Sequence, residues 1–286
     1  MKRTLISTAL AVFAGVCALA QGSKVINAEM PSKILGETKP YTIYLPVGYD
    51  ENKSERYPVL YLLHGAWGCD RDWTERGTTQ EIADLTIKNG TAVPMIIVMP
   101  DARGTDENFA GPHMGYFNVP GWNYEDYFFQ ELIPYIDATY RTIPDKGHRA
   151  IAGLSMGGGG TAAYAQHHPE LFSSACPLSG LIGLSDKRPD DDGSAFYISL
   201  AMNDPAAYVE KADPATVDAL KTVRWYADCG DDDFLVDANL AFYTAMRRKG
   251  IPMEYRMRDG AHNWTYWRTA LPDVLRFCSI GFGKAK

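Results

Sequence analysis

The sequence has no basic surplus, no cysteine pair spaced for a metal, no internal repeat and no low-complexity linker. Its 28 Lys and Arg stand against 35 Asp and Glu, a formal net charge of -7 with a pI near 5.4. That balance argues against nucleic acid or an anionic membrane surface as a partner, since both need clustered positive charge. The five cysteines form no C-x-x-C pair and no zinc spacing, so neither a redox dithiol motif nor structural zinc is written into the chain. Cys69, Cys176, Cys229 and Cys278 lie beyond the N-terminal segment, and a chain of this size does not need disulfides to hold a core. Cys176 and Cys229 sit in apolar runs and are expected as buried thiols, while the pairing of the four stays open. What is present is the make-up of a globular protein: 46% hydrophobic and 22% charged residues, enough for one large α/β domain.

The N-terminus reads as a targeting segment rather than part of the fold. Lys2 and Arg3 supply a charged start, residues 5–19 an apolar stretch, and Ala18-Leu19-Ala20 a small-residue cleavage pattern. The apolar stretch is short for a membrane span. Residues 1–20 are therefore expected to be a signal peptide and residues 21–286 one folded domain, exported to the periplasm or beyond the cell and free of the membrane after cleavage. Lipid attachment at Cys17 is disfavoured, because Ala14-Gly15-Val16 lacks a leucine at its first position and a small residue directly before the cysteine.

Past that segment, apolar β-branched runs alternate with helical stretches. Residues 41–45, 57–63, 92–99, 148–154, 173–178, 222–229 and 253–257 read as strands. Several are apolar throughout, as in Val59-Leu60-Tyr61-Leu62-Leu63, which suits strands covered on both faces. Residues 125–140, 158–168, 236–249 and 264–279 read as helices, the third with Leu240, Tyr243 and Met246 on one face. This alternation predicts an α/β fold with a mostly parallel central sheet and helices on both sides. Residues 101–123 and 182–221 break the rhythm; the first is a long loop, the second a partly helical insertion carrying Asp190-Asp191-Asp192-Gly193.

Chemistry concentrates at Gly153-Leu154-Ser155-Met156-Gly157. It follows an apolar strand and precedes a small-residue helix, the setting of a G-x-S-x-G nucleophile elbow, in which a sharp turn lifts the serine hydroxyl clear of the sheet. The following residues, Gly157-Gly158-Gly159-Gly160-Thr161-Ala162, formally fit a dinucleotide fingerprint. Those glycines fall inside the predicted helix instead of the turn, and no acidic residue closes the next strand, so a nucleotide cofactor is not expected.

A serine nucleophile needs a base, and the base an orienting acid, in the chain order Ser, Asp or Glu, His. His167, His168 and His262 follow Ser155. The first two end the helix that starts at the elbow and point away from it; His262 lies in a Gly-containing loop between the last strand and the last helix and is the expected base. The acid should come from Asp231, Asp232 or Asp233, in the loop after the preceding strand. Asp233 is the first choice, its neighbours being solvated or capping, and a calcium loop is not supported because D-x-D-x-D-G spacing is absent. The oxyanion amides are assigned to Met156, next after the nucleophile, and to Ala66 in the Gly-rich turn after 60–63; His64 there reads as a structural pin. This chemistry calls for no metal and no organic cofactor.

Together these residues resemble the esterase D-like α/β hydrolases, which include feruloyl and acetylxylan esterases, formylglutathione hydrolases and mycolyltransferases. The resemblance runs through Tyr57-Pro58-Val59-Leu60-Tyr61-Leu62-Leu63-His64-Gly65, Glu131-Leu132-Ile133-Pro134-Tyr135-Ile136, the elbow, 229–235 and 260–267. It implies a Gly-x-x-Asp acid, which falls on Asp233, and a histidine in a Gly-His-x-Trp-x-x-Trp context. Here Ala261 separates Gly260 from His262, while Trp264 and Trp267 match. Export disfavours the cytosolic formylglutathione branch, and the lack of a glutamate at the acid position disfavours the mycolyltransferases. The implied activity is a secreted serine carboxylesterase acting on feruloyl or acetyl esters of plant polysaccharides, so the implied partner is a carbohydrate ester or small ester. An acyltransferase or a general short-chain carboxylesterase on the same residues, and a non-catalytic carbohydrate-binding protein, are the alternatives. Trp67, Trp73, Trp122 and Trp264, with Phe117, lie near the expected C-terminal edge of the sheet and are the candidate substrate contacts. No feature assigns an oligomeric state.

Overall fold

The apolar runs of the sequence assemble into one eight-stranded sheet in a computed structural model that describes residues 22–104, 115–183 and 195–283. The expected signal peptide and the Asp190-Asp191-Asp192-Gly193 stretch lie outside the described residues. The first elements in chain order are β1 (Lys24–Ser32), β2 (Glu37–Leu45), β3 (Val59–Leu63), α1 (Asp72–Glu75), α2 (Thr79–Lys88) and β4 (Ile96–Pro100). A small hairpin, β5 (Asn118–Val119) and β6 (Trp122–Asn123), leads into α3 (Tyr124–Tyr127), a π-helical turn (Phe128–Leu132) and α4 (Ile133–Thr139). Then come β7 (Arg149–Leu154), α5 (Met156–His167), β8 (Ser174–Leu178), α6 (Ala195–Met202), α7 (Pro205–Lys211) and α8 (Pro214–Leu220). The chain closes with β9 (Arg224–Gly230), α9 (Val236–Arg248), β10 (Met253–Arg258) and α10 (Trp264–Gly281).

The strand order is β1-β2-β4-β3-β7-β8-β9-β10. Pairing is antiparallel for β1 with β2 and β2 with β4, and parallel everywhere else in this sheet. Every residue of β3, β4, β7 and β8 is buried, as strands covered on both faces require. The pleat divides β3 between two cores. Val59, Tyr61 and Leu63 face one that includes the α5 and α9 side chains, and Leu60 and Leu62 face the other, under α2 and α10.

The expected helix at 125–140 runs as α3, π turn and α4. The change of pitch precedes Pro134, which has no N–H for a regular i→i−4 bond. β1 lies outside the predicted strands: it is an edge strand, largely exposed, with no apolar run to announce it. The insertion holds α6, α7 and α8; the last two begin with Pro after Asp204 and Asp213, whose carboxylates cap the first amides.

Candidate active site

The site is built at the C-terminal ends of β3, β7 and β9. At the end of β7 the chain turns through Ser155, whose φ of 55° places a non-glycine residue in the left-handed region. Room for that turn comes from its flanking glycines. A Cβ at Gly153 would lie 2.5 Å from the Gly157 carbonyl oxygen, and one at Gly157 2.5 Å from the His64 carbonyl oxygen. The turn is clamped on both sides: Ser155 N–H donates to the Leu178 carbonyl at 3.0 Å, and the Ser155 carbonyl accepts from Leu181 N–H at 2.8 Å. Gly158 and Gly160 pack close to Gly180 and the Tyr116 ring, so the glycine run lets helix and sheet approach and forms no nucleotide turn.

His262 reaches this turn from the loop before α10, whose first turn Asn263 caps through Tyr266 N–H. Its Nε2 lies 3.0 Å from Ser155 Oγ. Its Nδ1 lies 2.8 Å and 3.0 Å from the two Asp233 carboxylate oxygens. With Nδ1–H donating to Asp233, Nε2 is left to accept from the serine hydroxyl. Asp233 is buried and also accepts from Leu235 N–H at 2.9 Å. Burial works to raise its pKa, but the hydrogen bonds from His262 and the Leu235 amide outweigh it, and the carboxyl is held below its ordinary value. Asp231 and Asp232 are exposed, and Asp231 accepts from Gly260 N–H at 3.0 Å. Among the described residues, Asp231, Asp232 and Asp259 form the one acidic group close enough for a cation; all three are exposed, as solvated carboxylates are.

Beside Ser155, the N–H groups of Met156 and Ala66 have no acceptor among the described residues. Met156 opens α5, so its amide has no partner in its own helix. The turn carrying Ala66 is held by His64, which is buried with its pKa lowered, chiefly by desolvation. Neutral imidazole suits both its bonds, Nδ1–H to the Gly65 carbonyl at 2.8 Å and Nε2 accepting from Ala102 N–H at 2.9 Å. His167 points elsewhere, to Glu125 at 2.8 Å.

Residues 32–278 match the family model named Esterase. The chain belongs to that family. Over 251 residues it is 32% identical to an endo-1,4-beta-xylanase/feruloyl esterase of Xylanibacter ruminicola, a match covering 86% of this chain but 30% of that relative's length. An acetyl esterase of Caldicellulosiruptor saccharolyticus is 26% identical over 279 residues, covering 89% of this chain and 98% of the relative. Among solved structures, a ferulic acid esterase aligns with a TM-score of 0.86 and 43% identity, covering 92% of this chain and 99% of that one. The fold is that of the α/β-hydrolase esterases, with the parallel sheet core described above.

Within this esterase-family scaffold the four candidate tryptophans divide. Trp67 and Trp264 line a cleft of about 360 Å³ that also contains Gly65, Ala66, Ser155 and His262. Trp67 is 68% exposed and stands on a backbone with φ of 58°. Trp73 is not a substrate contact: it is fully buried, and its indole N–H donates to the Leu63 carbonyl at 2.9 Å. Trp122 is not one either, being buried with its N–H on the Gly115 carbonyl at 3.0 Å and its ring stacked on Tyr124. Phe117 is likewise buried. Trp73 and Trp122 are anchors because each has an apolar bed and a carbonyl for its N–H.

Phe234 takes the place they vacate. It is 75% exposed, lines the cleft, and sets its ring 4.5 Å from His262. The available signal was its position directly after Asp233, at the edge of the sheet where ligands bind. Asp72 and Arg76 complete the polar wall, with the Arg76 guanidinium 5.2 Å over the Trp264 ring. Of the four free cysteines among the described residues, Cys176, Cys229 and Cys278 are buried, and the Cys176 and Cys278 sulfurs are 3.8 Å apart. Among the described residues no helix is long and apolar enough to cross a membrane.

Proposed function

We propose that this chain is a secreted serine carboxylesterase that cleaves feruloyl or acetyl esters on plant polysaccharides through an acyl-enzyme. The observation that carries the reading is the unbroken hydrogen-bonded line Ser155–His262–Asp233 beside two amides that lack an acceptor. His262 Nε2 takes the proton of Ser155 as Oγ attacks the ester carbonyl, and Asp233 holds the imidazole in the tautomer that can do so. The Met156 and Ala66 amides receive the oxyanion of the tetrahedral intermediate, a contribution of about 2.7–4 kcal/mol per donor in comparable sites. His262 then gives its proton to the leaving alkoxide, and the alcohol departs. Water activated by the same imidazole attacks the acyl carbonyl, and Ser155 recovers its proton.

The substrate class is supported by similarity to a ferulic acid esterase and an acetyl esterase. It is also supported by the exposed faces of Trp67 and Phe234, which suit a sugar ring or a phenolic acyl group. Export rests on the charged start, apolar stretch and small-residue cleavage pattern of residues 1–20, ahead of a catalytic domain over 21–286. The test is product release from matched feruloylated and acetylated xylo-oligosaccharides, with Ser155→Ala as the blank. Ferulate release assigns a phenolic-acid esterase; acetate release alone assigns a deacetylase. Turnover by Ser155→Ala equal to that of the parent chain overturns the mechanism.

A further inference from the structure

The segment that leaves β8 holds the backbone of Ser155 and reaches the helix beside His262. Leu178 and Leu181 clamp the backbone of Ser155, as described above, and between them stands Ser179. Ser179 is fully buried and has a φ of 44°, a conformation that glycine takes without strain and serine does not. Its backbone N–H donates to the Asp228 carbonyl at 2.8 Å, and its neighbour Gly180 donates its N–H to Asn239 Oδ1 and accepts from Asn239 Nδ2. The backbone is therefore pinned without help from the Ser179 side chain, leaving the hydroxyl for another purpose.

That hydroxyl accepts a hydrogen bond from Trp267 Nε1–H at 3.1 Å. Trp267 in turn sets its ring at 88° to His262, with centroids 4.9 Å apart. Ser179, Trp267 and His262 thus form one line of contacts that ends on the base of the proposed mechanism. We propose that Trp267 and Ser179 are positioning residues for that base, Trp267 holding the His262 ring edge-on and Ser179 fixing Trp267 through its indole N–H. The proposal rests on the esterase mechanism above. Their effect on the chemistry passes through His262.

The experiment uses the full mature chain with Ser179→Gly, Ser179→Ala, Trp267→Phe and the double variant Ser179→Ala/Trp267→Phe, and Ser155→Ala in parallel. Ser179→Gly removes the hydroxyl while relieving the backbone, and Trp267→Phe keeps a ring against His262 while removing the donor. Each single change is expected to lower kcat about tenfold with KM unchanged, the scale of one lost buried hydrogen bond. The double variant should fall little further than either single one, because both act through one chain of contacts. A purely structural role would lower the thermal midpoint and leave kcat of the folded enzyme unchanged. Wild-type kcat in Ser179→Gly and Trp267→Phe, with Ser155→Ala inactive, overturns the positioning role alone. Hydrolysis retained by Ser155→Ala overturns the mechanism beneath it.

Discussion

The floor and the rim of the cleft are built on opposite terms. On the floor, Ser155 is clamped between Gly153 and Gly157, Asp233 is 2% exposed, and most polar groups have an assigned partner. At the rim, Trp67 is 68% exposed, Phe234 75% exposed, and Arg76 rests on an indole face. Proton transfer tolerates little error in distance, and the residues proposed for it are held by glycine-tight packing and one hydrogen-bonded carboxylate. Recognition of a bulky ester can use large, exposed aromatic faces in water. The difference teaches where to look for each property: turnover below, substrate preference above.

That contrast can be broken at several levels. Ser155→Ala should abolish hydrolysis and covalent labelling by a fluorophosphonate while leaving the unfolding transition in place; both readouts are available on the purified chain. Asp233→Asn should lower kcat by ~10⁴, the scale seen when a neutral amide leaves the histidine in the wrong tautomer. Next in size, Trp73→Ala and Trp122→Ala should each cost about 3–5 kcal/mol of stability, as truncation of buried aromatics does, without altering KM in the folded fraction; urea titration against kinetics separates the two. The smallest effect belongs to the rim. Trp67→Ala and Phe234→Ala should raise KM about three- to tenfold with kcat nearly constant, as loss of uniform binding does. A fall in kcat as large as the rise in KM would show that the rim also shapes the transition state.

The floor predicts its own pH response. Asp233 is held below its ordinary pKa in the folded protein, so its contribution to stability is present above its unfolded value of ~3.9 and fades as pH falls towards the folded one. Asp233→Asn should therefore flatten the loss of thermal midpoint in that acid window and leave the slope near neutrality unchanged. Midpoints recorded across the window for both chains give the answer.

Much of the architecture could be read from residue patterns, and what could not has physical causes. The helix expected at 236–249 is Val236–Arg248, and the strand at 148–154 is Arg149–Leu154, because periodic or continuous apolar runs mark their own burial. β1 escaped because an exposed edge strand has no such signature. Spacing alone left Asp231, Asp232 and Asp233 open, and of the three the structure brings Asp233 to His262. The tryptophans show the limit most plainly. Position near the sheet edge was legible for Trp73 and Trp122, but side-chain direction depends on tertiary neighbours, and both turn inward. Ser179 gave no signal at all, because its backbone angle and its partners exist only after β8, β9 and α10 have packed.

The glycine run at the start of α5 sets the order in which the protein comes apart. Four successive glycines, Gly157 to Gly160, each lower helix propensity by ~1 kcal/mol relative to alanine, so α5 cannot hold its first turn alone. That turn survives through its bed against β3, Gly180 and Tyr116. The turn that carries Ser155 thus has no local fold of its own to keep or lose. Heating should extinguish enzymatic competence and the cooperative melting of the whole sheet at one temperature, with no inactive yet folded intermediate between them.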